Sequence, residues 1–270
     1  MKKTLILGLI LATSSSIHAY TLNAVAQSGA RWKNFPVSMR LNPANSGLPS
    51  AEVQRVITNA MSSWNTGVSE EVLAISAVNN TVTASTGMDM DGINSITFSS
   101  SFREDSNGFD PDVTVAIGGQ YGNDSDMVDA FIIFNSESVA WSTDRAISSN
   151  KSLYGDDLET IALHELGHVL GLGHSQINTA AMSAARTSRI VRDLAQDDID
   201  GAKYLINSAN GAATGSGNGY SSDASRSAGC GSIVNSNTGN SSGNTGGMAA
   251  MMLIPITVLV FARKRVRELN

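Results

Sequence analysis

Apolar positions between residues 20 and about 206 follow two different periods. Alternation at Val37, Met39 and Leu41 predicts a strand, and four short β-branched or aromatic runs between Gly, Asn and Asp residues predict four more. These four runs are VLAISAV (72–78), INSITFSS (93–100), VTVAIGG (113–119) and DAFIIFN (129–135). Strands interspersed with a few helices, followed by a helical end, indicate an α+β fold.

Helical spacing of apolar residues predicts three helices. Ser50 is expected to cap the first helix, because serine side chains accept the free N–H groups of a first turn. The buried stripe of this helix comprises Val53, Val56, Ile57, Ala60, Met61 and Trp64. The second helix is predicted within GDDLETIALHELGHVLG (155–171), where Asp156 and Glu159 fit a capping box. The third lies within AQDDIDGAKYLI (195–206), with an apolar face of Ile199, Ala202, Leu205 and Ile206.

The two ends of the sequence differ in composition from the region between them. Residues 1–19 combine two lysines, an apolar stretch and small residues, as a signal peptide for export does. Residues 207–247 consist mainly of Ser, Gly, Asn, Ala and Thr, which is typical of a disordered linker. Residues 248–270 are an apolar run with a basic end, which predicts a membrane anchor or a sorting signal. The folded domain is therefore expected at 20–206.

Charge and cysteine content narrow the class of protein. The formal net charge is −6, which argues against a nucleic-acid partner because such surfaces are normally basic. Cys230 is the only cysteine, so an intrachain disulfide is excluded and stability must come from packing or a bound metal.

Three of the four histidines lie within HELGHVLGLGHS (164–175). His164 and His168 are four residues apart, so both rings project from one face of a helix. Gly171 can end the helix in a left-handed conformation and let the chain bring His174 back as a third nitrogen ligand. Three protein ligands with a fourth position open to water are typical of catalytic zinc, although imidazole also binds other transition metals. A helix with incidental histidines is the less favoured alternative.

The motif H-E-x-x-H-x-x-G-x-x-H resembles the signature of the metzincin metalloproteases. Ser175, directly after the third histidine, resembles the matrixin branch, and Met182 stands where matrixins place the methionine of their Met-turn. The segment 195–206 resembles the closing matrixin helix, although Ala195 replaces a common capping serine. The resemblance extends over about residues 30–206. It implies a metzincin catalytic domain with a twisted mixed sheet, an active-site helix and a small helical C-terminal subdomain.

The resemblance also implies a zinc endopeptidase mechanism. His164, His168 and His174 would bind Zn²⁺, and Glu165 would take a proton from the zinc-activated water and pass it to the leaving amine. Met182 would support the site without binding the metal. The alternative is a non-catalytic zinc-containing binding or adhesion module, against which the intact Glu165 argues.

Two further partners are expected from the resemblance. A protein or peptide substrate should lie extended and antiparallel along the strand around 113–117, because the corresponding matrixin strand borders the cleft. The acidic stretches at 89–94, 105–112 and 122–129 offer spaced oxygen ligands for a stabilising Ca²⁺ of the kind that matrixin-like domains bind. Solvated acidic loops are the favoured interpretation of the same stretches.

The C-terminal tail resembles bacterial sorting signals. Gly246 and Gly247 directly precede the apolar run, as in signals of the GlyGly type that a sorting protease cleaves, and GCGS (229–232) resembles related signals that contain cysteine. A permanent membrane anchor remains open as the alternative. Either way, we expect a protein that is secreted or held at the cell surface, with its C-terminal helix in the membrane at least transiently.

Overall fold

The computed structural model of the chain describes residues 19–123, 125–144, 156–184, 190–209 and 230–234. Its strands are β1 (Val37–Leu41), β2 (Leu73–Val78), β3 (Ser95–Ser99), β4 (Thr114–Gly122), β5 (Met127–Asn135), β6 (Trp141–Ser142), β7 (Asp156–Asp157) and β8 (Cys230–Val234). Its helices are α1 (Ala24–Gln27), α2 (Ser50–Val68), α3 (Ala84–Gly87), α4 (Phe102–Asp105), α5 (Leu158–Leu170) and α6 (Gln196–Ala209).

Most of the predicted terminal segments lie outside these residues. Residues 1–18 of the predicted signal peptide, most of the linker and the predicted C-terminal helix at 248–270 are not described, so these assignments stay predictions. Within the described ranges, no helix is both long enough and apolar enough to cross a membrane.

The sheet is mixed, as the resemblance implied. Its strand order is β2-β1-β3-β5-β4-β8. The pairs β1–β2, β1–β3 and β3–β5 are parallel, whereas β4 runs antiparallel to both β5 and β8. All five strands predicted from the apolar pattern are present, and β8 is a sixth strand that comes from the predicted linker.

Helix α2 buries the predicted apolar stripe, and Trp64 fixes α2 to helix α5. The indole N–H of Trp64 donates to the carbonyl oxygen of Leu163 over 2.9 Å. The predicted cap at Ser50 is wrong by one residue, because Ser50 is already helical and Pro49 occupies the N-cap position. Pro49 is extended, with a ψ of 133°. Its carbonyl oxygen accepts the N–H group of Val53 and also that of Glu52, which a serine side chain at the cap would otherwise bind.

Helix α5 starts one residue later than the predicted capping box requires. Asp157, not Asp156, is the N-cap residue, and its carboxylate accepts the N–H group of Thr160 over 3.0 Å. Asp156 is held in β7, where its N–H group donates to the carbonyl oxygen of Ala140, so it cannot turn back over the helix. Arg192 forms an ion pair with Asp157 and thereby ties the start of α5 to the segment before α6.

Candidate active site

Three histidine side chains converge at the C-terminal half of α5. His164 and His168 are buried one turn apart, and Gly171 ends the helix with a φ of 114°. This left-handed conformation, which glycine adopts easily, lets the chain reverse and brings His174 to the other two rings. One ligand atom from each histidine lies within 4.8 Å of the others. The structure therefore brings together the three histidines that the sequence singled out.

Main-chain carbonyl groups orient two of these rings. His164 Nδ1 lies 2.7 Å from the carbonyl oxygen of Ala181, and His168 Nδ1 lies 2.8 Å from that of Leu172. A carbonyl oxygen can only accept, so in the neutral rings each Nδ1 carries the hydrogen and each Nε2 carries a lone pair. The two Nε2 atoms face each other at 3.0 Å. Two lone pairs repel, and a cation bound by both would relieve that repulsion.

The donor set fits zinc. His174 Nε2 is buried and has no hydrogen-bond partner among the described residues, as expected for a nitrogen whose partner is a metal ion. Three imidazole nitrogens with carbonyl groups behind two of the rings form a common catalytic zinc environment. In the part of the chain that the structure describes, these histidines are the only group of three or more potential ligands placed to hold an ion.

Burial keeps the three rings neutral. It lowers the pKa of His164 well below that of a free imidazole, and the nearby His168 and His174 lower it further. Burial and the charge of His174 lower the pKa of His168 to about 3, and burial also lowers the pKa of His174. Neutral imidazole is the form that binds a metal ion, so the site is ready for one at neutral pH.

Glu165 is a buried acid without a partner beside the histidines. Its side chain is 0% exposed, and neither carboxylate oxygen has a hydrogen-bond partner among the described residues. Burial raises the pKa of this carboxyl well above its ordinary value. A Cβ atom on Gly118 of β4 would lie 2.7 Å from Glu165 Oε2, so only glycine leaves room here. Such an acid costs folding free energy, which points to a chemical rather than a structural role.

Met182 packs beneath the active-site helix, at the position that the resemblance gave it. Its side chain is buried, and a Cβ atom on Gly167 would overlap with its Sδ atom. Glycine at 167 therefore makes room for the methionine within the histidine motif. The preceding residue, Ala181, supplies the carbonyl group that orients His164. The loop thus supports the site by packing and by fixing one ring.

Asp198 holds this loop in place, a role that the sequence analysis missed. Its carboxylate accepts the N–H groups of Ala181 over 2.8 Å and of Met182 over 3.1 Å. It also accepts the N–H group of Ala195, the residue directly before α6, over 2.8 Å, which ties the start of this helix to the same carboxylate. A signal was available, because Asp198 lies four residues before Ala202 on the apolar face of α6. An acid there needs buried partners.

The neighbouring Asp197 fixes the segment after the third histidine. Its Oδ2 atom accepts the hydroxyl of Ser175 over 2.6 Å, and its Oδ1 atom accepts the N–H groups of Ala19 and Tyr20, each over 2.8 Å. Ser175 directly follows His174, so this carboxylate ties the third histidine's loop to the start of the described chain. The sequence analysis had not predicted this hydrogen-bond partner for Ser175.

The acidic stretches that suggested calcium form hydrogen bonds within the protein. Asp129 accepts the N–H groups of Asp91 over 2.9 Å and Gly92 over 2.8 Å, and Arg103 pairs with Asp110 at 2.8 Å. Asp129 and Asp110 therefore have partners within the protein. Calcium binding by these stretches stays a prediction.

The fold and the site together define a class of protein. A mixed sheet, a helix carrying two histidines and an acid, a third histidine after a glycine turn and a buried methionine below are the features of a metzincin catalytic domain. The sequence profile of the matrixin family (Peptidase_M10) matches residues 31–207. The chain therefore belongs to the matrixin family, which confirms the resemblance found in the motif.

Individual relatives match a shorter stretch. The chain is 46% identical over 50 residues to metalloendoproteinase 2-MMP of Arabidopsis thaliana, covering 18% of this chain and 13% of the relative. It is 52% identical over 52 residues to metalloendoproteinase 1 of Glycine max, covering 18% and 16%. It is 47% identical over 51 residues to stromelysin-3 of Homo sapiens, covering 19% and 10%. The chain therefore matches less than a fifth of each of these relatives.

Proposed function

We propose that the protein is a zinc-dependent endopeptidase in which Glu165 acts as the general base. The observation that carries the proposal is a fully buried carboxylate that has no hydrogen-bond partner in the described part of the chain, next to three converging imidazoles. Membership of the matrixin family and relatives named metalloendoproteinases support the same reaction class.

The chain's own residues would act as follows. His164, His168 and His174 would hold the metal ion, and their carbonyl partners would keep the rings in the binding orientation. Zinc, when bound, lowers the pKa of a coordinated water to about 7 and polarises the substrate carbonyl. Glu165 would take a proton from the attacking water and deliver it to the nitrogen of the leaving amine. The raised pKa of Glu165 suits both steps, since the carboxyl must gain and then lose a proton.

The peptide substrate would lie along β4. This strand begins at Thr114 and so includes most of the predicted segment 113–117, and its Gly118 contacts Glu165. A peptide that adds to β4 as an antiparallel strand would therefore pass the general base. Main-chain hydrogen bonds to the strand would position the scissile bond largely independently of side-chain sequence.

The rival function is a zinc-containing binding or adhesion module without hydrolysis. It needs the three histidines but gives Glu165 no task. A buried acid without a partner lowers stability, and a binding module would gain from an apolar residue at this position. The state of Glu165 therefore favours the enzyme.

The location that we propose is outside the cytoplasmic membrane. The sequence of residues 1–19 supports export, and the apolar run with its basic end at 248–270 supports attachment to a membrane or processing by a sorting protease. The intact mass of protein recovered from the native host would test this. A mass that retains residues 1–19 would contradict export through a cleaved signal.

The peptidase proposal is tested by profiling the full chain on a mixed peptide library, with and without a metal chelator. We expect cleavage of internal peptide bonds, loss of cleavage with the chelator and recovery after zinc is added back. The Glu165→Gln variant is the matched control, because it keeps the side-chain volume and removes the base. No cleavage by the zinc-loaded chain, or equal cleavage by the variant, would contradict the proposal.

A further inference from the structure

A segment from outside the matrixin domain lies on the edge of the sheet at the active site. Strand β8 (Cys230–Val234) pairs antiparallel with β4, on the side of β4 opposite β5. Within the family-matched residues 31–207, β4 would be the edge strand of this sheet. The edge proposed to receive the substrate is therefore covered by the chain itself.

The register places this strand beside the residue of β4 that packs against Glu165. Gly231 pairs with Gly118, the residue of β4 against which Glu165 packs. Ser232 pairs with Ile117 and Val234 with Thr114, so β8 extends along the segment predicted to bind substrate. The backbone of β8 thus follows the direction and the position that were proposed for an extended peptide substrate.

One edge can pair with only one strand at a time. The outward N–H and C=O groups of a strand are a single row of donors and acceptors, so a peptide cannot pair with residues 114–119 of β4 while β8 is paired with them. The connection from α6 to β8, residues 210–229, is rich in Gly and Ser. A tether of this composition presents its end at an effective concentration of roughly millimolar, enough to compete with ordinary peptide substrates.

We propose that Cys230–Val234 is an autoinhibitory strand that occupies the substrate-binding edge of β4. The proposal rests on the peptidase function proposed above. Substrate binds when this strand leaves the edge, so the apparent affinity for peptides is reduced by the fraction of time that the edge is free. The inhibition acts through main-chain pairing and is intramolecular, so it does not depend on protein concentration.

The first experiment removes the pairing of β8 in the full chain. Consecutive residues of a strand point their N–H groups to opposite sides, so the double variant Gly231→Pro/Ser232→Pro removes a donor towards β4 in either register. We expect KM for a peptide found in the library profiling to fall about tenfold with kcat unchanged. A tenfold fall corresponds to a strand that occupies the edge about 90% of the time, because only the remaining fraction of the protein binds the peptide. An unchanged KM would overturn the proposal.

Two control variants separate this effect from others. Ser241→Pro/Ser242→Pro adds two prolines to the same linker outside β8 and should leave KM at the wild-type value. Cys230→Ser keeps the main chain of β8 and should also leave KM unchanged. If Cys230→Ser lowers KM as much as the proline pair does, the inhibition depends on the Cys230 thiol. That result would overturn the proposal that main-chain pairing causes it.

A second measurement does not depend on peptidase activity. Hydrogen exchange of the amides of residues 114–119 is compared between the full chain and its proline variant, both with Glu165→Gln to prevent cleavage. Faster exchange in the proline variant than in the full chain would support the claim that β8 occupies the edge of β4. This holds even if the chain proves not to be a peptidase. Equal exchange rates in the two proteins would overturn the proposal, whatever the activity measurements show.

Discussion

Two acids near the histidines, Glu165 and Asp198, are equally buried but differ in their partners. Each is 0% exposed, and burial raises the pKa of both carboxyl groups. Glu165 has no hydrogen-bond partner among the described residues, whereas Asp198 accepts three backbone N–H groups. The same functional group is thus left without a partner among the described residues in one place and used to fix a loop in the other.

The difference shows how the site divides its tasks. The loop that Asp198 holds supplies the carbonyl group for His164 and the sulfur below Gly167, so its position affects the orientation of His164. Glu165 contributes to no such contact. Removing Glu165 should therefore change chemistry and little else, and removing Asp198 should change stability and metal binding first.

The largest effect is expected for Glu165→Gln. Loss of a general base typically costs 10²–10⁴-fold in rate, so kcat should fall by about that factor. Zinc content and the thermal unfolding midpoint should stay close to wild type, because no hydrogen bond within the described structure is lost. Steady-state kinetics measures kcat, elemental analysis measures the zinc content, and calorimetry measures the unfolding midpoint. A variant with wild-type kcat would remove Glu165 from the mechanism.

A smaller effect on catalysis, with a larger one on stability, is expected for Asp198→Ala. The change leaves three N–H groups without their acceptor and should lower the free energy of unfolding by about 3 kcal/mol. Loss of such a support should also weaken zinc binding by about 10–100-fold. Denaturant unfolding and zinc titration check the two parts. If stability is unchanged while kcat falls as in Glu165→Gln, the contrast between the two acids is wrong.

The smallest effect is a pH dependence at the start of α5. Burial alone would raise the pKa of Asp157, but its hydrogen bonds and the charge of Arg192 outweigh burial and leave this pKa lowered. A folded-state pKa below the unfolded value of about 3.9 gives stability that is present above that pH and lost as the pH falls below it. The unfolding free energy of wild type should therefore decline more steeply below about pH 5 than that of Asp157→Asn. Parallel curves in denaturant titrations would contradict this.

The sequence predicted most of what depends on local pattern. Alternation at Val37, Met39 and Leu41 and the stripe ending at Trp64 gave the strand and helix that the structure has. The four-residue spacing of His164 and His168 placed both rings on one face. These features depend on the period of a strand or a helix, which the sequence shows directly.

Features that depend on contacts between distant segments could not be predicted. Two of the three partners of Asp198 lie 16 and 17 residues away in the chain, and no local pattern specifies such pairings. The room that Gly118 leaves for Glu165 became visible only once β4 and α5 were packed together. The pairing of β8 with β4 was likewise hidden, because the composition around Cys230–Val234 indicates a linker and not a strand.

The central claim is that three histidines bind zinc and that Glu165 acts on it without helping to hold it. The most direct test is zinc content, by elemental analysis, of wild type, Glu165→Gln and His164→Ala/His168→Ala, together with peptidase activity. The account predicts about one zinc ion per chain in the first two proteins, none in the third, and activity in wild type alone. Zinc retained by the double histidine variant, or lost from Glu165→Gln, would contradict it.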